Sequence, residues 1–210
     1  NWWVWAFRSD TDLLLVIRGS RGNNVLEEIL GKGYAGIVVC DCWRAYDFLS
    51  NATLQRCWAH LLRKSKELES IAGRHFHRKL TSLFDEIKQF NKKERTEKQR
   101  LRKYKHITVK LQKTLTYYAR CEECEGVIKY INFHLENWFT CVKFAGVQPT
   151  NNYAEQAIRE TVLVRKIIGA FRSEQGTKTY ETLASLIATW QYQKLDVRKE
   201  LHRMLAANLC

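Results

Sequence analysis

The chain has 210 residues, 45% of them hydrophobic, with 10 glycines and 1 proline. A chain of this size buries about 70% of its unfolded surface, so a real core is expected and disordered, collagen-like and proline-rich classes are excluded. Lys and Arg number 35 against 22 Asp and Glu, a net charge of +13, which points to a polyanionic partner.

Trp2–Phe7 and Leu13–Arg18 are β-prone runs joined by the polar Ser9-Asp10-Thr11-Asp12, so a hairpin is expected. Asn23 or Asn24 then reads as a helix N-cap; Leu26, Ile29 and Leu30 recur at helical spacing, and Gly31 and Gly33 stop the helix. Gly36–Asp41 is a short, continuous apolar run, the pattern of a central strand buried on both faces. A short helix is expected at Trp43–Phe48 and one more strand at Leu54–Trp58. This order predicts an α/β fold in which an antiparallel pair lies beside parallel strands.

From Ala59 the period becomes helical. Leu61, Leu62, Leu68 and Ile71 open a long helix that Leu80, Leu83, Phe84, Ile87 and Phe90 continue. Asn91–Lys105 is charged and nearly free of apolar residues, so it reads as an exposed helix or a loop; Val109–Tyr118 and Val127–Phe139 are further helices. Gln148–Asn152 breaks the chain. Ala154, Ala157, Ile158, Thr161 and Val162 then mark an amphipathic helix, Leu183, Leu186, Ile187 and Trp190 another, and Val197, Leu201, Met204 and Leu205 a last one. The organisation expected is a first core part over 1–60, a basic helical insertion over 61–145, and a second core part with C-terminal helices over 146–210. Residues 61–120 hold 18 Lys/Arg and 6 Asp/Glu, or +12, whereas the remaining 150 hold 17 and 16. The longest apolar runs, such as Leu13–Ile17, are too short for a membrane span, and no signal peptide is seen. The 7 cysteines are therefore expected to be reduced thiols in a cytoplasmic protein.

Two carboxylates stand out. Asp41 ends the most apolar strand, where ligand and catalytic groups of open α/β sheets gather; a turn or cap aspartate is the plain alternative. Glu155 lies in the first turn of the helix after the Asn151-Asn152 break. It is either half of a capping box with Asn152 or a metal-binding carboxylate on a rigid helix. Cys57 and His60, three apart, and the pair Cys121 and Cys124 contain the ligand types of a Cys3His zinc site, although zinc is not expected. No P-loop, dinucleotide fingerprint or nucleophile elbow is present.

Three motifs in order carry a resemblance: Gly36-Ile-Val-Val-Cys-Asp41-Cys-Trp-Arg-Ala-Tyr46, Leu54-Gln-Arg-Cys-Trp-Ala-His-Leu-Leu-Arg63-Lys64, and Pro149-Thr-Asn-Asn-Tyr-Ala-Glu155-Gln-Ala-Ile-Arg159 with Arg165-Lys166. Together with Ser20-Arg21-Gly22 and the Leu30-Gly31 helix end, they make nearly the whole chain resemble the insertion-sequence sixty-six family of DDE transposases. The resemblance implies an RNase H-like mixed-sheet core interrupted by a helical insertion before the last catalytic acid. Asp41 is then the second acid of the triad and Glu155 the third, and Cys57 and His60 match a Cys-x-x-His element. Mg²⁺ or Mn²⁺ in a two-metal site is implied. The reaction the resemblance implies is one in which water frees a 3′-OH at a transposon end and that 3′-OH then attacks target DNA. For the metals to bridge them, the Asp41 and Glu155 carboxyls should lie within about 4–8 Å.

The family's first Asp belongs to a strand ahead of Trp2. Asp10 and Asp12 are expected at the opposite end of the sheet from Asp41 and do not replace it. The sequence is thus expected to be a catalytic-core fragment that does not cut DNA by itself. Implied partners are transposon-end and target DNA and a further copy of the protein, in a nucleoid-associated setting. The DNA-binding residues expected are Lys92, Lys93, Arg95, Lys98, Arg100, Arg102, Lys103 and Lys105 in the basic insertion, with Arg63, Lys64, Arg159, Arg165 and Lys166. A non-catalytic nucleic-acid-binding remnant, another RNase H-like nuclease and a zinc-stabilised interaction module stand as alternatives.

Overall fold

A computed structural model describes residues 2–169 and 171–207, apart from the side chains of Arg165 and Ile168. The chain is mixed α/β and divides into two compact units, residues 1–28 with 152–210 and residues 29–151.

In the first unit the expected hairpin forms. Strands β1 (Trp3–Arg8) and β2 (Leu13–Arg18) pair antiparallel from Trp3↔Arg18 to Arg8↔Leu13. The turn is closed by Asp12, whose carboxylate accepts from Thr11 Oγ at 2.6 Å and Ser9 Oγ at 3.2 Å. Helix α1 (Asn23–Leu30) begins at Asn23, so Asn23 and Asn24 sit inside its first turn instead of capping it. Helix α7 (Asn152–Ile168) packs on β1, and Ala157 joins Leu13, Leu15 and Ala188 in a small apolar core.

Helix α8 (Glu174–Tyr192) takes the place of a strand along the outer edge of β2. Leu13 N–H donates to Thr189 Oγ at 3.0 Å, Leu15 N–H to Ser185 Oγ at 2.9 Å, and Ile17 N–H to the Glu181 carboxylate. Four helical residues rise about 6.0 Å and two strand residues about 6.8 Å, so every second strand amide meets one helical turn. The face of α8 turned to β2 is therefore Glu181, Ser185, Ala188 and Thr189, with Glu181 and Ala188 buried, Ser185 and Thr189 half-buried and Ala184 beside them, whereas Leu183, expected on the core face, is 37% exposed. Helix α9 (Val197–Ala207) ends the described chain and has no buried residue.

In the second unit, Gly31 ends α1 at φ +80, a conformation a side chain would strain. Strands β3 (Ile37–Cys40) and β4 (Thr53–Arg56) pair parallel in register Ile37↔Thr53 to Cys40↔Arg56, linked through a 3₁₀ turn at Arg44–Phe48. Among the described residues the strands form two two-stranded sheets and no continuous mixed sheet. β3 is not buried on both faces as expected: Ile37 is 38% exposed, and the cluster of Cys40, Leu49 and Leu54 with Leu30 and Tyr34 covers one side.

The helices that follow break where the sequence pattern reads as continuous. Helix α2 (Trp58–Lys66) stops before α3 (Ile71–Asn91), because Ser70 Oγ caps α3 through Gly73 N–H at 2.9 Å. Glu123 gathers the Glu69 and Ser70 amides and the Ser70 hydroxyl at the same point. A Cβ on Gly73 would come within 2.7 Å of Leu68 Cβ, so the bend needs glycine. A Thr96/Gln99 capping box starts α4 (Glu97–Tyr118). Val127–Phe139 is likewise not one helix: α5 (Glu125–Phe133) ends at His134, and a 3₁₀ turn at Leu135–Trp138 leads into α6 (Thr140–Lys143). Trp58, Leu61, Phe76, Leu80, Ile87, Ile107, Leu111, Ile131, Trp138 and Phe139 fill the core between these helices. The strands β3 and β4 group with this helical region and not with the core part expected over residues 1–60.

The α8 edge predicts a graded stability series. Glu181→Ala removes a charged acceptor from Ile17 N–H and from Arg18 and should cost about 2–3 kcal/mol; Ser185→Ala should cost about 1 kcal/mol. Urea denaturation of the two variants checks the order. Two losses near zero would show that α8 does not hold the β2 edge.

Candidate active site

Asp41 directly follows the last residue of β3 and is half-buried. Its Oδ1 accepts from Trp43 N–H at 2.9 Å, which orients the carboxyl, and Oδ2 takes no hydrogen bond among the described residues. Its backbone is held by Arg56, a fully buried side chain at the end of β4. One Arg56 nitrogen donates to the Asp41 carbonyl at 2.6 Å and the other pairs with Asp47, itself 38% exposed. The guanidinium thus ties the end of β3, the 3₁₀ turn and β4 together. Neither Arg56 nor Asp47 is among the expected site residues; the signal for them is an arginine inside the Leu-Gln-Arg-Cys-Trp strand, since a buried cation needs a carboxylate.

Around Asp41 burial suppresses ionisation. It pushes the Cys40 thiol up to about 12, against the pull of Arg56, and the Cys42 thiol up to about 11, against a hydrogen bond with Tyr130. Burial, and next the bond to Cys42, raises the Tyr130 phenol. His134 is lowered by burial and then by Arg56, so it is neutral at pH 7. These groups therefore offer no competing anion beside the Asp41 carboxyl.

Glu155 is in the first turn of α7 and half-buried. Because α7 begins at Asn152, that residue is the first of the helix and not its cap. Asp41 belongs to the unit 29–151 and Glu155 to the other. Cys57 and Asn151, far apart in sequence, meet: Asn151 N–H lies 3.4 Å from the fully buried Cys57 Sγ, and Trp58 N–H donates to Pro149 O at 3.0 Å. His60 is half-buried in α2. Among the described residues no three His, Cys, Asp or Glu side chains gather as metal ligands, and Cys40, Cys42, Cys57, Cys121, Cys124 and Cys141 form no disulfide with one another.

The basic cluster divides into structural and exposed members. Arg100 is 7% exposed and donates to Val142 O at 3.1 Å, so it is not a surface cation. Lys103 turns to Glu86 at 2.5 Å, as does Lys110. Burial alone would raise the Glu86 carboxyl, yet the two lysines outweigh it and hold it below its usual value. Arg95 is half-buried with its guanidinium 5.2 Å from the Phe90 ring centroid. The buried stripe of α4 explains this: Arg100, Ile107, Leu111, Leu115 and Tyr118 face inward at helical spacing. Lys92, Lys93, Lys98, Arg102 and Lys105 are exposed, as are Arg63, Lys64, Arg159 and Lys166. The Arg165 side chain lies outside the described residues.

With this geometry in view, comparison with known proteins defines the class as a transposase. The family model described as Transposase IS66 family matches residues 1–179, and the chain belongs to that family. No curated protein and no solved structure matches it. No described helix is long and apolar enough to cross a membrane.

The Arg56 anchor is testable. Asp47→Ala removes the charged partner of a buried guanidinium that keeps its bond to Asp41 O, and should cost about 1.5–3 kcal/mol, read by chemical denaturation. A change within about 0.5 kcal/mol, as for an ordinary surface site, would show that the pair does not hold the Asp41 segment.

Proposed function

We propose that Asp41 and Glu155 are catalytic carboxylates of a metal-dependent DNA strand-cleavage and strand-transfer site, built on an RNase H-like core. The observation that carries this reading is the family match over residues 1–179, joined to the position of Asp41 at the carboxyl end of a parallel strand. The order of elements supports the core assignment: an antiparallel hairpin, a helix, then a parallel pair. DNA is the partner, and assembly on paired DNA ends would bring in further copies of the protein.

The donor chemistry fits Mg²⁺ or Mn²⁺. These hard cations take carboxylate oxygens, and Asp41 offers an oxygen that accepts no hydrogen bond among the described residues. Bound there, the cations would activate the attacking oxygen and stabilise the leaving one. The protein's own part is positioning: Trp43 N–H turns the carboxyl and Arg56 fixes the backbone beneath it. Asp41→Asn and Glu155→Gln, made in the protein as its gene encodes it, should abolish Mg²⁺-dependent cleavage of transposon-end DNA while leaving binding in EDTA intact. Undiminished cleavage by Asp41→Asn would overturn the assignment.

DNA affinity is assigned to the exposed cations of the α3–α4 region. If four of Lys92, Lys93, Lys98, Arg102 and Lys105 engage phosphates, log K should fall with log salt at a slope of about −3 to −4 on duplex DNA. Replacing the five by Gln should flatten the slope for every sequence alike, because phosphate contacts carry no base information. Salt titrations check it, and an unchanged slope would move the DNA surface to Arg63, Lys64, Arg159 and Lys166.

A further inference from the structure

Immediately after Asp41, Cys42 forms one wall of a cavity of about 260 Å³ whose other walls are Arg44, Lys129, Tyr130, Phe133 and His134. No carboxylate lines it. Two kinds of group do. Arg44 and Lys129 are exposed cations, and Phe133 and Tyr130 supply aromatic faces, with Phe133 62% exposed. The Arg44 guanidinium lies 5.9 Å from the Phe133 centroid, and Lys64 Nζ lies 5.7 Å from that of Tyr130. His134, buried and neutral, meets the Phe133 ring edge-on at 4.6 Å and braces it. Lys129 pairs with Glu125 at 2.6 Å, but both are well exposed, and such a pair yields readily to a stronger anion.

An exposed aromatic ring flanked by cations is the arrangement that holds an unstacked base and its phosphate. The cavity is smaller than a usual drug-sized pocket and suits one nucleotide, not a duplex. Its position fixes its meaning: the wall begins one residue after the candidate catalytic Asp41. We propose that this pocket binds one unpaired nucleotide of the DNA strand being processed at Asp41, its base on Phe133 and its phosphate on Arg44 and Lys129. The proposal rests on the DNA reading above and adds a single-strand subsite to it. Extruding a base costs least where it is already unpaired, so the pocket should favour single-stranded over duplex DNA.

The test is fluorescence anisotropy with the 210-residue chain, titrating a labelled single strand and the blunt duplex of the same sequence. Phe133→Ala should weaken single-strand binding by about 5- to 150-fold, the range for losing one base–aromatic stack, and leave duplex binding unchanged. Phe133→Trp should restore it. Arg44→Gln with Lys129→Gln should flatten the single-strand salt slope by about 0.7 for each phosphate no longer neutralised. Because Phe133 is exposed, the variants keep the core, which circular dichroism verifies. Duplex binding by the wild type with no selective loss in Phe133→Ala would overturn the pocket alone. Equal loss on both DNAs would also overturn it. Failure of the wild type to bind either DNA would overturn the DNA reading and this proposal together.

Discussion

The helical unit depends on one buried junction, the five residues from Leu54 to Trp58. Gln55 is fully buried and uses both ends of its amide: its nitrogen donates to Arg56 O and Trp138 O, and its oxygen accepts from Cys141 N–H. Thr140 Oγ donates to Leu54 O at 2.6 Å and Trp58 Nε1 to Trp138 O at 2.7 Å. The Trp58 ring then packs on Phe84, Trp138 and Phe139. An unpaired amide in such a place would cost about 1–3 kcal/mol, so the bonds specify a single arrangement of β4 against the 3₁₀ turn and α6. Arg56, in the same stretch, carries that constraint outward to Asp41. A parallel pair of four-residue strands would be weak alone; here its geometry is inherited from the helical core.

The hairpin unit solves a different problem. A two-stranded ribbon leaves amides along its edge, and β2 is too apolar to leave them to water without exposing its side chains. α8 answers with Thr, Ser and Glu at successive turns. Arg18 balances the buried Glu181 at 2.8 Å and also pairs with Glu28 at 2.7 Å, which raises the guanidinium and lowers the Glu28 carboxyl. The helix therefore buries polar atoms at a face where amphipathic reasoning expects leucine.

Charge in this protein has two uses that composition merges. Arg56, Arg100 and Lys103 are interior or inward-facing cations that hold elements together. The exposed lysines and arginines before and along α4, and those flanking the Phe133 pocket, are the ones at the surface that a phosphate can reach. The sum of +13 says that an anionic partner is favoured; only the environment of each side chain says which cations are available to it.

The sequence by itself determined the hairpin, the apolar strand ending at Asp41, the helical character from Ala59 onward and the family, because hydrophobic period and motif order are local properties of the chain; Trp58, expected at the end of a strand, instead opens α2. It also placed Asp41 at a strand end and Glu155 in a first helical turn, since both follow from short-range pattern. Tertiary structure reinforced the break at Ser70, where the Glu123 carboxylate from a distant turn joins the local Ser70 cap, and decided the end of α5 before the Trp138 turn. It decided too that β3 shares one small sheet with β4, that α8 faces β2 with its polar stripe, and that Arg100 goes inside. In most of these cases the deciding partner lies dozens of residues away, and a hydrogen bond to it outweighs the preference of the local pattern.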